Sequence, residues 1–140
     1  RKYQSDPAET ASWRKLVFAK NNAFGAVAAN DLVYWANAAH TLVSVDDADS
    51  ISGLNGVAGV GIGAIAASAY GWFLTYGAAT LNLQAAVNAA AGDALIGSTT
   101  GKKVNVVTIA TAPTHKVVGF ATAAASGAGG TVATWVEIEA

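Results

Sequence analysis

The chain has 140 residues, a formal net charge of -1 and no cysteine, and about a quarter of its residues are alanine. This length suits one domain, and the absence of cysteine excludes disulfides, thiolate catalysis and cysteine-ligated zinc. With 8 basic against 9 acidic side chains, the chain lacks the excess positive charge of nucleic-acid surfaces, so we expect no nucleic-acid partner.

The first 30 residues are more polar than the rest of the chain. Within them, "DPAETASWRKLVFAKNN" (6–22) has Asp6 as a possible helix cap and Pro7 at the first helical position. A short helix and an extended arm are both compatible with this pattern. We therefore divide the chain into an N-terminal arm or short helix at 1–30 and a single β domain at 31–140.

Seven later segments are short, rich in β-branched or aromatic residues and separated by turn-forming residues, which predicts strands. They are "DLVYW" (31–35), "TLVSV" (41–45), "VAGVGIGAI" (57–65), "YGWFLTYG" (70–77), "DALIG" (93–97), "KVNVVTIA" (103–110) and "TVATWVEIE" (131–139). The pattern predicts an all-β fold, either a small β-barrel or a β-sandwich, and shows no internal repeat. Helical composition occurs more weakly in "LNLQAAVNAAAGD" (81–93).

A long uncharged stretch, residues 50–92, raises the possibility of a membrane segment. Residues 57–75 are long enough to cross a bilayer as one helix. However, four glycines interrupt this segment and aspartates precede it. The glycines favour buried strands, and aspartates in place of basic residues argue against a membrane span, so we expect no membrane partner.

The segment "YGWFLTYG" concentrates aromatic rings. In a strand, Trp72, Leu74 and Tyr76 face one side while Phe73 and Thr75 face the other. A ligand-binding β-barrel that stacks sugars or bases on these rings would need them on one face. The split favours packing on both sides, with one face in the core and the other against a neighbouring subunit.

Motifs that could carry chemistry are incomplete. The string "GIGAIA" (61–66) matches a dinucleotide fingerprint but lacks the following helix and acidic residue. "GSTTGKK" (97–103) has the wrong spacing for a phosphate loop and predicts a hairpin turn with solvated lysines. "DDADS" (46–50) lacks the glycine and glutamate of a calcium loop, and no motif places an orienting acid and a nucleophile beside either His40 or His115. We therefore expect no enzyme, no cofactor and no metal site.

The order of four segments resembles the capsid decoration, or cement, proteins of tailed bacteriophages. These segments are "NDLVYW", "NGVAGVGIGAIAASAYGWFLTYG", "AAAGDALIGSTTGKKV" and "HKVVGFATAAASGAGGTVATWVEIE", and together they cover about residues 31–139. The resemblance implies a small β domain on the outer capsid surface of the virion. Such a protein clamps neighbouring subunits of the major capsid protein and is often a trimer. A tail, fibre or head-completion protein is the alternative.

The resemblance leaves the N-terminal segment unmatched, and we expect this segment to reach across the capsid surface. Its aromatic and basic side chains would anchor it, and two rings of the "YGWFLTYG" segment would add to the capsid or subunit interface. The predicted interface residues are Arg1, Lys2, Tyr3, Trp13, Arg14, Lys15, Trp72 and Tyr76.

Overall fold

The computed structural model describes residues 2–4, 14–46, 56–98, 101–107, 117–128 and 130–138. Every regular element in these ranges is a strand, which confirms the all-β class. The strands are β1 (Lys2–Gln4), β2 (Arg14–Asn21), β3 (Leu32–Trp35), β4 (Leu42–Ser44), β5 (Val57–Gly61), β6 (Tyr70–Asn82), β7 (Ala94–Gly97), β8 (Val104–Val106), β9 (Val117–Ala121) and β10 (Thr131–Glu137).

Each of the seven predicted segments contains a strand, although the boundaries differ. The largest difference is in β6, which continues beyond Gly77 to Asn82. Gly77 has a φ of 121°, a conformation that glycine adopts without strain. The strand therefore passes through the glycine that we expected to end it.

The helical interpretation is wrong for Arg14–Asn21, which is the strand β2. This segment pairs antiparallel with β6 from Lys15 to Lys20, so its backbone groups are satisfied by a long-range partner that local composition does not reveal. Residues 5–13 lie outside the described part of the chain. The helical composition of 81–93 is also overridden: β6 ends at Asn82, and turns follow with an isolated bridge at Ala89.

The strands pair in the order β1-β2-β4-β3-β5-β6-β10-β9-β7-β8, with a further pairing between β2 and β6. Because of this extra pairing, β2, β4, β3, β5 and β6 form a closed ring of paired strands. The pairing of β2 with β4 is parallel, whereas the other pairings between the named strands are antiparallel.

The connectivity of β2 to β6 recurs in β6 to β10, so the expectation of no internal repeat is wrong. The pairings β2–β6, β3–β4, β3–β5 and β5–β6 correspond in turn to β6–β10, β7–β8, β7–β9 and β9–β10. Both β3–β5 and β7–β9 also contain a register shift at the corresponding place. We call β2 to β5 with residues 70–75 of β6 the first unit. The second unit consists of residues 76–82 of β6 with β7 to β10.

Matching turns lead into the third strand and the seventh. The backbone N–H of Ala28 donates to Asp31 Oδ2 at 2.8 Å, and that of Ala90 donates to Asp93 Oδ2 at 2.8 Å. In both turns the residue before the aspartate has a positive φ, 72° at Asn30 and 93° at Gly92. The aspartates thus satisfy the same backbone group in each unit.

Two apolar cores follow from this arrangement. A smaller one lies within the first unit and includes Phe73, Trp35 and Val33. The larger one joins both units, with Tyr34 and Leu74 from the first and strands β7 to β10 from the second. Tyr34 is fully buried, and its hydroxyl donates to the carbonyl oxygen of Ser98 at 3.3 Å.

Candidate interaction surface

Three aromatic rings form an exposed row across β2 and β6, which we call the aromatic ladder: Phe18, Tyr70 and Trp72. Phe18 stands opposite Trp72 in the strand register, with ring centroids 4.9 Å apart, and stacks on Tyr70 at 5.7 Å. The three side chains keep 52%, 63% and 42% of their surface exposed. Large aromatic side chains with this much exposed surface, grouped together, are typical of binding surfaces.

The aromatic ladder continues a sheet face that is covered elsewhere. The next cross-strand pair on the same face of the sheet is Leu16 with Leu74. Leu74 belongs to the core shared by the two units, and Leu16 packs against that core. The second unit therefore covers Leu16 and Leu74 but leaves the next two pairs of the same face open. On the opposite face, Phe73 is fully buried, so the predicted division of the rings between two faces is confirmed for Trp72 and Phe73.

A basic side chain borders the aromatic ladder. Lys20 lies opposite Tyr70 in the register, and its Nζ is 5.9 Å from the centroid of that ring. Arg14 is exposed at the other end of β2, beyond the covered pair of Leu16 and Leu74. A cation over an aromatic face is a modest attraction when exposed and a stronger one once a partner excludes water.

Tyr76 does not join Trp72, although the sequence places both in one strand. A register shift between Lys15 and Leu16 interrupts the alternation of the pair. Tyr76 instead meets the edge of Trp135 at 5.4 Å, and Lys15 Nζ lies 5.1 Å from the Tyr76 ring. The predicted interface residues on β2 and β6 therefore fall into two separate groups.

The other predicted interface residues belong to the N-terminal segment. Lys2 and Tyr3 lie in β1, where they pair with Leu16 and Lys15 of β2. This register places the segment beside the strand that carries Phe18. Arg1 and Trp13 lie outside the described residues.

The incomplete motifs have structural roles where they are described. A side chain at Gly61 would overlap the carbonyl oxygen of Ala28, which explains the glycine by close backbone approach. The hairpin predicted around 97–103 is confirmed by the pairing of Gly97 with Val104. Lys102, however, is not a purely solvated charge, because its Nζ lies 3.4 Å from Asp31 Oδ2.

No cluster of metal-ligating side chains accompanies these features in the described ranges. They contain no group of three or more His, Cys, Asp or Glu side chains that could hold a metal ion. Asp46 belongs to this part of the chain, whereas Asp47, Asp49 and His115 lie outside it. The His40 ring stacks on Trp35 at 4.9 Å. In the same ranges there is no helix long and apolar enough to cross a membrane.

Two members of the aromatic ladder, Phe18 and Tyr70, were not among the predicted interface residues, nor was Lys20. Phe18 and Lys20 fall in the segment interpreted as helix or arm, so no strand partner was assigned to them. Alternation along β2 offers a signal, because Ala19 and Asn21 are buried, whereas Phe18 is exposed and Lys20 is half-buried.

One solved structure shares this fold over nearly its whole length. The N base of the head fibre protein gp8.5 of bacteriophage phi29 matches with a TM-score of 0.53 at 14% sequence identity. The match covers 89% of this chain and 97% of that one. No protein-family model matches the sequence, and no curated protein does.

Proposed function

We propose that this protein is a non-enzymatic structural protein of a phage virion that lies on the outer surface of the capsid and clamps neighbouring major capsid subunits. The observation that carries the proposal is the fold shared with the head fibre base of phi29 across 89% of the chain. The ordered segments that resemble capsid decoration proteins support it independently.

The aromatic ladder is the surface that we assign to the capsid. Interfaces are enriched in Trp and Tyr, and a few such anchors supply most of the binding free energy. Trp72 offers the largest ring, and Lys20 at the border favours an acidic group on the partner. Attachment of many copies to one shell would multiply weak individual contacts.

Binding to capsids that lack this protein tests the proposal. We expect the purified chain to co-sediment with such capsids and to raise the temperature at which the capsids release DNA or disassemble. Trp72→Ala and Phe18→Ala should each weaken binding by about tenfold or more, which is the range of an interface anchor. Far-UV circular dichroism should stay unchanged, because both side chains lie outside the buried cores.

Thr80→Ala is the matched control. Thr80 pairs with Ala133 in the second unit as Phe18 pairs with Trp72 in the first, and it is exposed. This variant should bind capsids like the wild type. The proposal fails if the wild-type chain does not bind capsids, or if the ladder variants bind as tightly as Thr80→Ala.

The base of a head fibre is the second candidate, favoured by the structural comparison. A fibre base occupies the same surface but carries a distal part outward instead of reinforcing the shell. Capsid stability separates the two functions. Bound protein that leaves the thermal stability of the capsid unchanged would favour the fibre base, whereas a higher stability favours the clamp.

A further inference from the structure

The repeat allows each position of the first unit to be compared with its counterpart in the second. On the outer face of the first unit, six apolar residues belong to or pack on the core shared with the second unit: Leu16, Leu32, Tyr34, Val57, Val60 and Leu74. The strand registers assign their counterparts in the second unit, in the same order, as Ala78, Ala94, Ile96, Val117, Phe120 and Trp135. We call these six counterparts the second-unit face.

The second-unit face is apolar at all six positions, yet it is incompletely covered. Phe120 keeps 44% and Val117 keeps 39% of its surface exposed, and Ala78 is also exposed. Trp135 is half-buried, and among the rings that the structure describes it meets the edge of Tyr76. Isolated exposed apolar residues need no explanation, but a contiguous group on one sheet face marks an interaction surface.

The occupant follows from what covers the corresponding face of the first unit. There, the covering body is another unit of the same fold, joined through the shared core. We propose that the second-unit face binds a second copy of this chain through exposed surface of that copy, since the second-unit residues that cover the first unit are themselves buried. The inference does not depend on capsid binding, because it concerns a different face and needs no capsid.

Chemistry supports a protein occupant of this kind. The centre of a subunit interface is depleted in charge and enriched in aromatic residues, and the six positions contain no charged side chain. Glu137 and Lys15, both paired with Tyr76, lie at the margin of the face, as polar residues do at an interface rim. A self-associating face of this composition belongs to homo-oligomers with closed symmetry or to head-to-tail arrays.

The purified chain alone, without capsids, tests the inference by sedimentation velocity over a hundredfold range of concentration. We expect the wild type to sediment as an oligomer. Phe120→Asp and Ala78→Glu should each shift it to the monomer mass by placing a charge in the centre of the apolar contact. Ala78→Glu is the second variant because an exposed alanine contributes little to folding, and circular dichroism should show both variants folded.

Ala39→Glu is the matched control for Ala78→Glu, since Ala39 is an exposed alanine in the turn between β3 and β4. This control should retain the wild-type mass. A monomeric wild type at every concentration would overturn the inference, as would a folded Ala78→Glu variant that remains oligomeric. An equal loss of mass in Ala39→Glu would also overturn it, because the effect would then not belong to the second-unit face.

Failure of this inference is distinguishable from failure of the proposed function. A chain that is monomeric in solution but binds capsids through the aromatic ladder would remove only the self-association. An oligomer that ignores capsids would remove only the proposed function.

Discussion

Asp31 is the residue that shows most clearly how the two units differ. It is 4% exposed, and besides the Ala28 N–H it accepts a hydrogen bond from Asn82 Nδ2 at 3.0 Å. Lys102 pairs with it at 3.4 Å and also donates to the carbonyl oxygen of Ala26 at 3.1 Å. Asp31 therefore links its own turn to β6 and to the β7–β8 connection, which its counterpart Asp93 does not do in any of the contacts described.

We expect Asp31→Ala to lower the free energy of unfolding by about 2–4 kcal/mol, because two hydrogen bonds to a buried carboxylate, from Ala28 N–H and Asn82 Nδ2, are lost together. Lys102 adds little to this figure, since its side chain is 42% exposed and water screens the pair. Urea denaturation followed by circular dichroism measures the change.

Asp93→Ala serves as the comparison for Asp31→Ala. It removes one exposed capping hydrogen bond, to Ala90 N–H, and should cost about 1 kcal/mol. Equal losses in the two variants would contradict the role assigned to the buried network around Asp31.

At the scale of elements, two corresponding strands are held close to their neighbours by glycine. A Cβ on Gly59 in β5 would lie 2.8 Å from the Phe73 Cβ and 3.0 Å from the Leu74 carbonyl oxygen. In β9, a Cβ on Gly119 would overlap the carbonyl oxygen of Trp135. The nearest atom is a Cβ at Gly59 and backbone at Gly119, and neither can rotate away, so the neighbouring strand would have to move.

We expect Gly119→Ala to destabilise the fold by about 2–3 kcal/mol, the usual cost of overpacking against atoms that cannot yield. Gly63→Ala is the control, since an added Cβ there meets nothing within 4 Å, and it should stay within about 0.5 kcal/mol of the wild type. The midpoints of urea unfolding of the two variants measure this difference. A Gly119→Ala midpoint equal to that of Gly63→Ala would contradict the prediction and show that β10 can shift away from β9 at little cost.

The elements also show which parts of the fold a sequence can predict. Strands such as β3, β7 and β10 were predictable because β-branched residues and flanking turn residues coincide there. β2 was not, because the helix-start signals at Asp6 and Pro7 precede it and its strand identity depends on pairing with β6, far along the chain. For the same reason the sequence pointed to Trp72 but not to its partner Phe18.

The repeat escaped prediction for a different physical reason. The repeat is preserved in the backbone pairings of the strands, and these pairings require a particular side chain at only a few positions. The turns "AANDL" and "AAGDA" share the aspartate that caps Ala28 or Ala90, and glycine recurs at 59 and 119. Most other counterparts differ in size, as Trp35 and Gly97 do, because the first unit encloses its own core while the second leaves room for Tyr34 against Gly97.

At the scale of the whole molecule, the larger core predicts that the two units unfold together. Residues of both units pack in it, and β6 belongs to both. Local separation would expose Tyr34 and Leu74 to water and remove the acceptor of the Tyr34 hydroxyl. We therefore expect one cooperative transition.

Single-tryptophan variants can measure this cooperativity. A chain that retains only Trp35 reports on the first unit, and one that retains only Trp135 reports on the second, with phenylalanine at the other three positions. Within each variant, the urea midpoint from fluorescence should equal that from far-UV circular dichroism. A fluorescence midpoint in the Trp135 variant that falls well below its circular dichroism midpoint would show that the second unit opens independently.

Because the two units share β6, further units could be added to this fold at its last strand. The second unit begins on the strand that completes the first, so the duplication overlaps instead of joining two finished bodies by a linker. β10 holds in the second unit the place that β6 holds in the first. A longer relative could add a third unit by extending this strand, and in such a protein the residues around Phe120 would change from surface to interior without altering the two units already present.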